Sequence, residues 1–369
     1  MKKIATGLAY GSIAKPELAA KAVKNAMTKA AIKSPSAVLL FLTSEFASDP
    51  QSAIKAAAKA AGCTQVIGCS ATGIFTEEDW ILDSPAAAAM VFSDSASLSV
   101  MLKETNTPLL TIAAPNAINS TWLNKSRLRF GGVSGDATGH GPFSVWENGK
   151  GATQGYCEVA VNNAQIAIAA SHGLKSISSP KIITKTNSHD LLSIDNNDAL
   201  SNLIQACGNK SESSQELPYH QIVAMYADTP EAFARDEHNV ASIITSNEKS
   251  GAITLSKSLQ KGDFLNWAIR DVNAAQVDIV KTASKLKQQL SSEPTFALLF
   301  SCLGRGPSFY NGSDQDLELL KTLFPDLPMI GFYGNGEIAP ILGKNELLQY
   351  SAVLGLFAEK NNVSENAGV

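Results

Sequence analysis

Several signatures of common chemistries are missing from this 369-residue chain. It has no C-x-x-C, no H-E-x-x-H and no histidine pair at helical spacing, so nothing in it signals a metal site. There is no G-x-G-x-x-G dinucleotide fingerprint. Gly68 to Gly73 has the glycine spacing of a phosphate loop, but Ile74-Phe75 stand where that loop needs Lys and Ser/Thr. The apolar runs are far shorter than the roughly 20 residues that span a bilayer. No Lys/Arg stripe is interleaved with aromatics, and the net charge of −4 offers no cationic surface to phosphates. Neither a membrane nor nucleic acid is expected as a partner. Met1-Lys2-Lys3 starts like a signal peptide, yet Thr6, Tyr10, Gly11, Ser12 and Lys15 follow instead of an apolar stretch. Cys63, Cys69, Cys157, Cys207 and Cys302 are odd in number and scattered, a pattern that suits reduced thiols in the cytoplasm.

What is present describes a compact protein: 44% hydrophobic and 17% charged residues. The length exceeds what one core usually serves, so two interlocked domains are expected. One pattern occurs twice. Ala37-Val38-Leu39-Leu40-Phe41 leads to Val66-Ile67-Gly68-Cys69-Ser70-Ala71-Thr72-Gly73, and Ala297-Leu298-Leu299-Phe300 leads to Met329-Ile330-Gly331-Phe332-Tyr333-Gly334-Asn335-Gly336-Glu337. Each copy closes on a third apolar run, residues 88–92 and 353–357. Apolar strands that stop at glycine-rich turns are places where backbone amides converge on a ligand.

The spacing predicts an amphipathic helix over 16–33 with Pro16 in its first turn, a buried strand over 36–46, a helix from Asp49-Pro50 to Gly62, and a strand over 65–69. Strands that are apolar throughout, in β-α-β order, belong to a sheet covered on both faces. From about residue 128 short strands alternate with turns. Asn148-Gly149, Asn162-Asn163 and residues 247–251 read as hairpin turns, 210–216 as a surface loop, and Asp271 as the cap of a long helix. The expected fold is mixed α/β (α+β): two interlocked modules with buried sheets covered by helices, plus a central antiparallel meander.

The candidate site residues cluster in the glycine turns. Arg305, between Gly304 and Gly306, could fork onto a carboxylate, while Glu337, near Tyr333 and Asn335, could take an amine; together they suit a small zwitterion. The alternative is an Arg305–Glu337 salt bridge without a ligand. Cys69 between Gly68 and Ser70 is a nucleophile only if a base such as His172 approaches it; otherwise it is a small buried thiol. His172, before Gly173, and His140, in the glycine-rich bend 131–141, are isolated, but one axial imidazole is all that a b-type haem requires.

Phe296 to Gly306, Pro328 to Pro340 and Tyr350-Ser351-Ala352-Val353 resemble the C-terminal signature of FIST domain proteins. Val66 to Gly73 and Phe130-Gly131-Gly132 to Asp136 resemble the N-terminal one. The resemblance implies a FIST N-type module over 1–170 and a FIST C-type module over 171–369, forming a sensory protein of bacterial signal transduction. It further implies a small ligand, such as an amino acid, and no catalytic residue. A subset of the family resembles haem-binding nitric-oxide sensors that act on a histidine kinase. The chain carries no output domain of its own, so a separate signalling partner is expected. Ile74 stands where the family commonly has an acidic residue, which weakens the first turn's polar role. The ligand residues this reading selects are Gly68, Cys69, Ser70, Thr72, Gly73, Gly131, Gly132, Asp136, Arg305, Gly306, Tyr333, Gly334, Asn335 and Glu337, with the cleft lying between the modules.

Overall fold

A computed structural model of the chain describes residues 4–93, 96–99, 107–125, 127–136, 138–208 and 217–360. Met1-Lys2-Lys3 and the loop expected at 210–216 lie outside the described residues. The chain forms two compact units, Met1–His172 with Gln276–Val369, and Gly173–Ala275.

In the larger unit the elements are β1 (Ile4–Tyr10), α1 (Pro16–Ala30), β2 (Ala37–Thr43), α2 (Gln51–Ala61), β3 (Val66–Ala71), β4 (Gly73–Thr76), β5 (Trp80–Leu82) and β6 (Ala86–Phe92). Next come β7 (Ser97–Ser99), β8 (Leu109–Ala113), α3 (Ser120–Leu123), β9 (Arg129–Val133), β10 (Val145–Glu147), β11 (Lys150–Gly151), β12 (Tyr156–Asn162) and β13 (Ala164–Ser171). The smaller unit holds β14 (Leu174–Ser176), β15 (Lys181–Asn187), β16 (Asp190–Ile194), β17 (Asn197–Asp198), α4 (Ala199–Ala206), β18 (Ile222–Ala227), β19 (Asn239–Asn247), β20 (Ala252–Leu255) and β21 (Phe264–Arg270). After α5 (Val272–Gln289) the larger unit resumes with β22 (Phe296–Cys302), α6 (Gln315–Leu323), β23 (Met329–Gly334), β24 (Gly336–Ile341), β25 (Lys344–Leu348) and β26 (Ala352–Glu359).

The repeated sequence pattern becomes a repeated sheet. β2 and β3 run parallel with Leu40 beside Gly68, and β6 lies antiparallel on the other side of β2. β22, β23 and β26 repeat this with Leu299 beside Gly331. The structure adds a third copy that the sequence pattern did not disclose: β8 and β9 run parallel with Thr111 beside Gly131, and β12 flanks β8. In every copy a 3-10 turn follows the first parallel strand, at Ser44–Phe46, Pro115–Ala117 and Leu303–Arg305. The glycines are required by close approach. A Cβ would stand 1.7 Å from the Leu40 carbonyl oxygen at Gly68, 1.8 Å from that of Thr111 at Gly131 and 1.8 Å from that of Leu299 at Gly331.

Each copy then gives its next hairpin to a different sheet. β4–β5 pairs with β23, β24–β25 with β9, and β10–β11 with β3, so the exchanges close a ring of three six-stranded sheets. Polar clasps hold two of them. Glu77 accepts from the Met329 N–H at 3.0 Å and lies 2.6 Å from the Thr6 hydroxyl. Asn345 accepts from the Arg129 N–H at 2.8 Å and donates to the carbonyls of Leu123 and Arg127, each at 2.9 Å. The third hairpin turns on Asn148-Gly149 as expected, at φ 50° and 72°.

The inner faces of the sheets meet in one core, where Phe41 packs edge-on against Phe332 at 4.9 Å and Phe300 against Phe332 at 5.3 Å. α1 and α2 cover the outside of the first sheet; α5 and α6 cover the sheet of β22 and β23. The turn expected at Asn162-Asn163 is not a hairpin. β12 pairs with β7 and β8 while β13 pairs with β26, so Asn163, at φ 60°, carries the chain from one sheet to another.

The smaller unit is the antiparallel part. Its strands follow the order β14-β21-β15-β16-β20-β19-β18, and β18 pairs back onto β21. The hairpin turn at 247–251 joins β19 to β20, with Asn247 opposite Ala252. Trp267 fills its core and donates to Asn202 at 3.0 Å. Asp271 caps α5 by accepting from the Ala274 N–H at 2.8 Å. Among the described residues no helix is long and apolar enough to cross a membrane.

Candidate functional site

The three copies bring the ends of β3, β9 and β23 together inside the larger unit. The Thr72 N–H donates to the Tyr333 carbonyl at 3.2 Å, the Asn335 N–H to the Val133 carbonyl at 3.0 Å, and the Ser134 hydroxyl to the Ser70 carbonyl at 2.6 Å. Each turn is thereby laced to another. Thr72, Gly135 and Asn335 hold corresponding positions, four residues past Gly68, Gly131 and Gly331. A Cβ on Gly135 would meet Asn335 Oδ1 at 3.0 Å and Thr72 Oγ1 at 3.1 Å, so both side chains aim at the space a side chain would take. The Thr72 hydroxyl is buried without a hydrogen-bond partner among the described residues.

Beside this junction lies a cavity of about 490 Å³. Apolar walls come from Pro115, Ile118, Val133, Leu303 and Leu347; Cys302, Asn335, Gln349 and Tyr350 supply polar side chains, and Gly139, Gly304 and Gly334 expose backbone. Tyr350 holds a left-handed backbone, φ 56°, uncommon for a bulky residue. Its ring lies where a Cβ on Gly304 would be, at 2.5 Å, so that glycine is needed to admit the ring.

The residues selected from the sequence separate into groups. Gly334 and Asn335 line the cavity, and Gly304 and Val133 from the same turns join them. Gly68 and Gly131 are spacers between strands, Gly132 abuts the Phe332 ring, and Gly73 and Gly306 abut the Tyr333 ring. Ser70 accepts from the Ser144 N–H at 3.0 Å. Asp136 organises the bend by accepting from Gly139 N–H at 2.6 Å and Gly141 N–H at 3.1 Å. Burial opposes the Asp136 charge, but these bonds and that from Thr138 outweigh it and hold the carboxyl below its ordinary value.

Arg305 makes its ion pair with Asp316 and not with Glu337. It forks onto Asp316 at 2.9 and 3.1 Å and donates to the Ser171 carbonyl at 3.0 Å and hydroxyl at 2.9 Å. Burial disfavours its charge, yet the Asp316 carboxylate keeps the guanidinium protonated. The Tyr333 hydroxyl donates to Asp314, and burial with the neighbouring Asp316 charge pushes the Asp314 carboxyl up to about 6. Glu337 is fully buried. Ser351 donates to its Oε2 at 2.6 Å, Oε1 has no partner among the described residues, and burial drives its carboxyl well above the ordinary range, which favours the neutral acid.

Cys69 sits in the central core, where burial and then the nearby Cys157 push its thiol well above the usual value. A nucleophilic thiolate is disfavoured there, and the core surroundings replace the electropositive turn that reading required. His140 is an exposed residue of the bend, while the His172 N–H donates to Asp278 Oδ2 at 2.8 Å. Neither histidine lines this cavity or a second one of about 520 Å³ at the other ends of the strands, around Phe324, Leu327 and Pro328. Among the described residues, the walls of these two cavities therefore offer no histidine for axial ligation of a haem.

The chain matches the family models for the FIST N domain over residues 36–197 and the FIST C domain over 197–340. It is 24% identical over 231 residues to uncharacterised proteins of two Mycobacterium tuberculosis strains, an overlap of 62% of this chain and 60% of each relative. The chain thus spans less than two thirds of the length of these relatives. It is also 29% identical over 130 residues to F-box only protein 22 of Homo sapiens, covering 32% of this chain and 31% of that one.

Proposed function

The chain belongs to the FIST family, a family associated with sensing and signal transduction, and on that premise we propose that it binds one small ligand in the cavity beside the junction of the three turns. The observation that carries this reading is that both family domains contribute to one cavity, Val133 from the first and Gly304, Gly334 and Asn335 from the second. A ligand held there touches two of the three repeated units at once, so it stabilises one arrangement of their turns over others. The altered turns would then be read by a separate signalling partner. The lining also argues for sensing over turnover: Cys302 places a thiol in the wall, but among the described residues no histidine, lysine or carboxylate lines the cavity to activate it.

Thermal unfolding in the presence of a metabolite library tests the proposal. Stabilisation that disappears in Asn335→Leu is the expected result. Hits that stabilise Asn335→Leu as strongly as the natural chain would move the site elsewhere, and a library without any hit would remove the sensor reading's support.

A further inference from the structure

We infer that the ligand of this cavity is an uncharged molecule recognised through a planar amide, imide or ureide group, a conclusion that rests on the cavity being the sensory site. The sequence pointed to a zwitterion because Arg305 and Glu337 lie in the glycine turns. The structure uses both differently. The guanidinium is turned onto Asp316 and Ser171, and Glu337 lies outside the cavity wall, buried against Ser351. Among the described residues, none that lines the cavity carries a charge.

Removing an ionic ligand from water without a counter-charge costs several kcal/mol, so a cavity built this way selects against ions. What it offers is paired neutral polarity. Asn335 presents a carboxamide, both donor and acceptor, whose side chain makes no hydrogen bond among the described residues. On one side its oxygen and the unpartnered Thr72 hydroxyl face the same point above Gly135. Thr72 is only 6% exposed and does not line the cavity, so the group that a ligand meets there is the Asn335 carboxamide. The exposed Gln349 adds a second amide at the rim, and the Tyr350 ring, seated on Gly304, adds an aromatic wall suited to a flat molecule. An amide or ureide edge answers a carboxamide with one donor and one acceptor. A carboxylate, which only accepts, leaves the Asn335 oxygen unpaired.

Related pairs that differ in charge separate these cases. Nicotinamide against nicotinate, uracil against orotate, and glutarimide against glutarate would be titrated into the full chain by calorimetry and by thermal shift, with Asn335→Leu in parallel. At least one neutral member is expected to bind tenfold or more tightly than its charged partner, and to lose that binding in Asn335→Leu. Charged members that bind as well as neutral ones, with loss in Asn335→Leu, would overturn the neutral-ligand inference while leaving the cavity as the site. Binding that Asn335→Leu does not disturb would overturn the inference together with the site. If no pair binds, the inference falls, and the metabolite library described above decides separately whether the cavity reading survives.

Discussion

At the scale of single residues, the two acids of α6's first turn show how burial redistributes charge. Asp316 pairs with Arg305, whereas Asp314, which caps the helix by accepting from the Leu317 N–H at 2.9 Å, faces that second carboxylate and the Tyr333 hydroxyl. Its carboxyl titrates near 6 in the folded chain, above an ordinary value of 3.8. Through that window the folded state keeps a proton that the unfolded state has lost, so unfolding releases it and this group's contribution falls as pH rises from about 4 to about 6, by up to ~3 kcal/mol. Asp314→Asn keeps the cap and removes the titration. Urea midpoints of the variant are therefore expected to gain on the natural chain between pH 4.5 and 7, and parallel profiles would show that Asp314 titrates normally. The sequence exposed Arg305 between glycines but not its partner. Asp316 lies eleven positions further along the chain, and only the docking of α6 brings the two together.

At the scale of elements, the glycines at the third position of β3, β9 and β23 carry the register of their sheets. Gly68→Ala, Gly131→Ala and Gly331→Ala each push a methyl group into a carbonyl oxygen of the neighbouring strand. Backbone cannot yield there as a flexible side chain would, so each is expected to lose roughly 4 kcal/mol or more, a severe effect for one methyl group. Denaturant midpoints compared with Gly62→Ala, a helix end at φ 65° with nothing within 4 Å of a Cβ, separate crowding from positive-φ strain; Gly68 and Gly131, at φ 158° and 151°, carry both, and Gly331 carries the crowding without it. A Gly62 variant as damaged as the others would refute the crowding account. Two of the three copies were legible in the sequence because both have long apolar strands and a helix of full length between them. The third was hidden because α3 is four residues long, too short to show a helical period, and Thr111 interrupts the apolar run of β8. The crossing at Asn163 was misread for a related reason: alternating strands around a turn look like a hairpin, but pairing partners far along the chain decide the sheet.

At the scale of the whole molecule, the exchange of hairpins makes the family's two domains inseparable in the larger unit, while Gly173–Ala275 is a compact unit of its own. The chain leaves the larger unit after His172 and returns near Asp278, whose Oδ2 accepts from the His172 N–H and the Ser171 hydroxyl, both at 2.8 Å. Departure and return are thus neighbours, and replacing residues 173–275 by a short Gly/Ser linker is expected to leave a single cooperative unfolding transition. Residues 1–170 alone are expected to have none, because the sheet of β8 and β9 would lack β24–β25 and the hairpin β4–β5 would lack β23. Circular dichroism melts of the two shortened chains check both outcomes. The same exchange sets a timetable during synthesis. The hairpin over residues 73–82 leaves the ribosome roughly 250 residues before β23 exists, on the order of ten to fifty seconds at the usual pace of translation. Throughout that interval Ile74 and Phe75, fully buried in the finished protein, have no final resting place, which makes this short segment the nascent chain's most natural handhold for a chaperone.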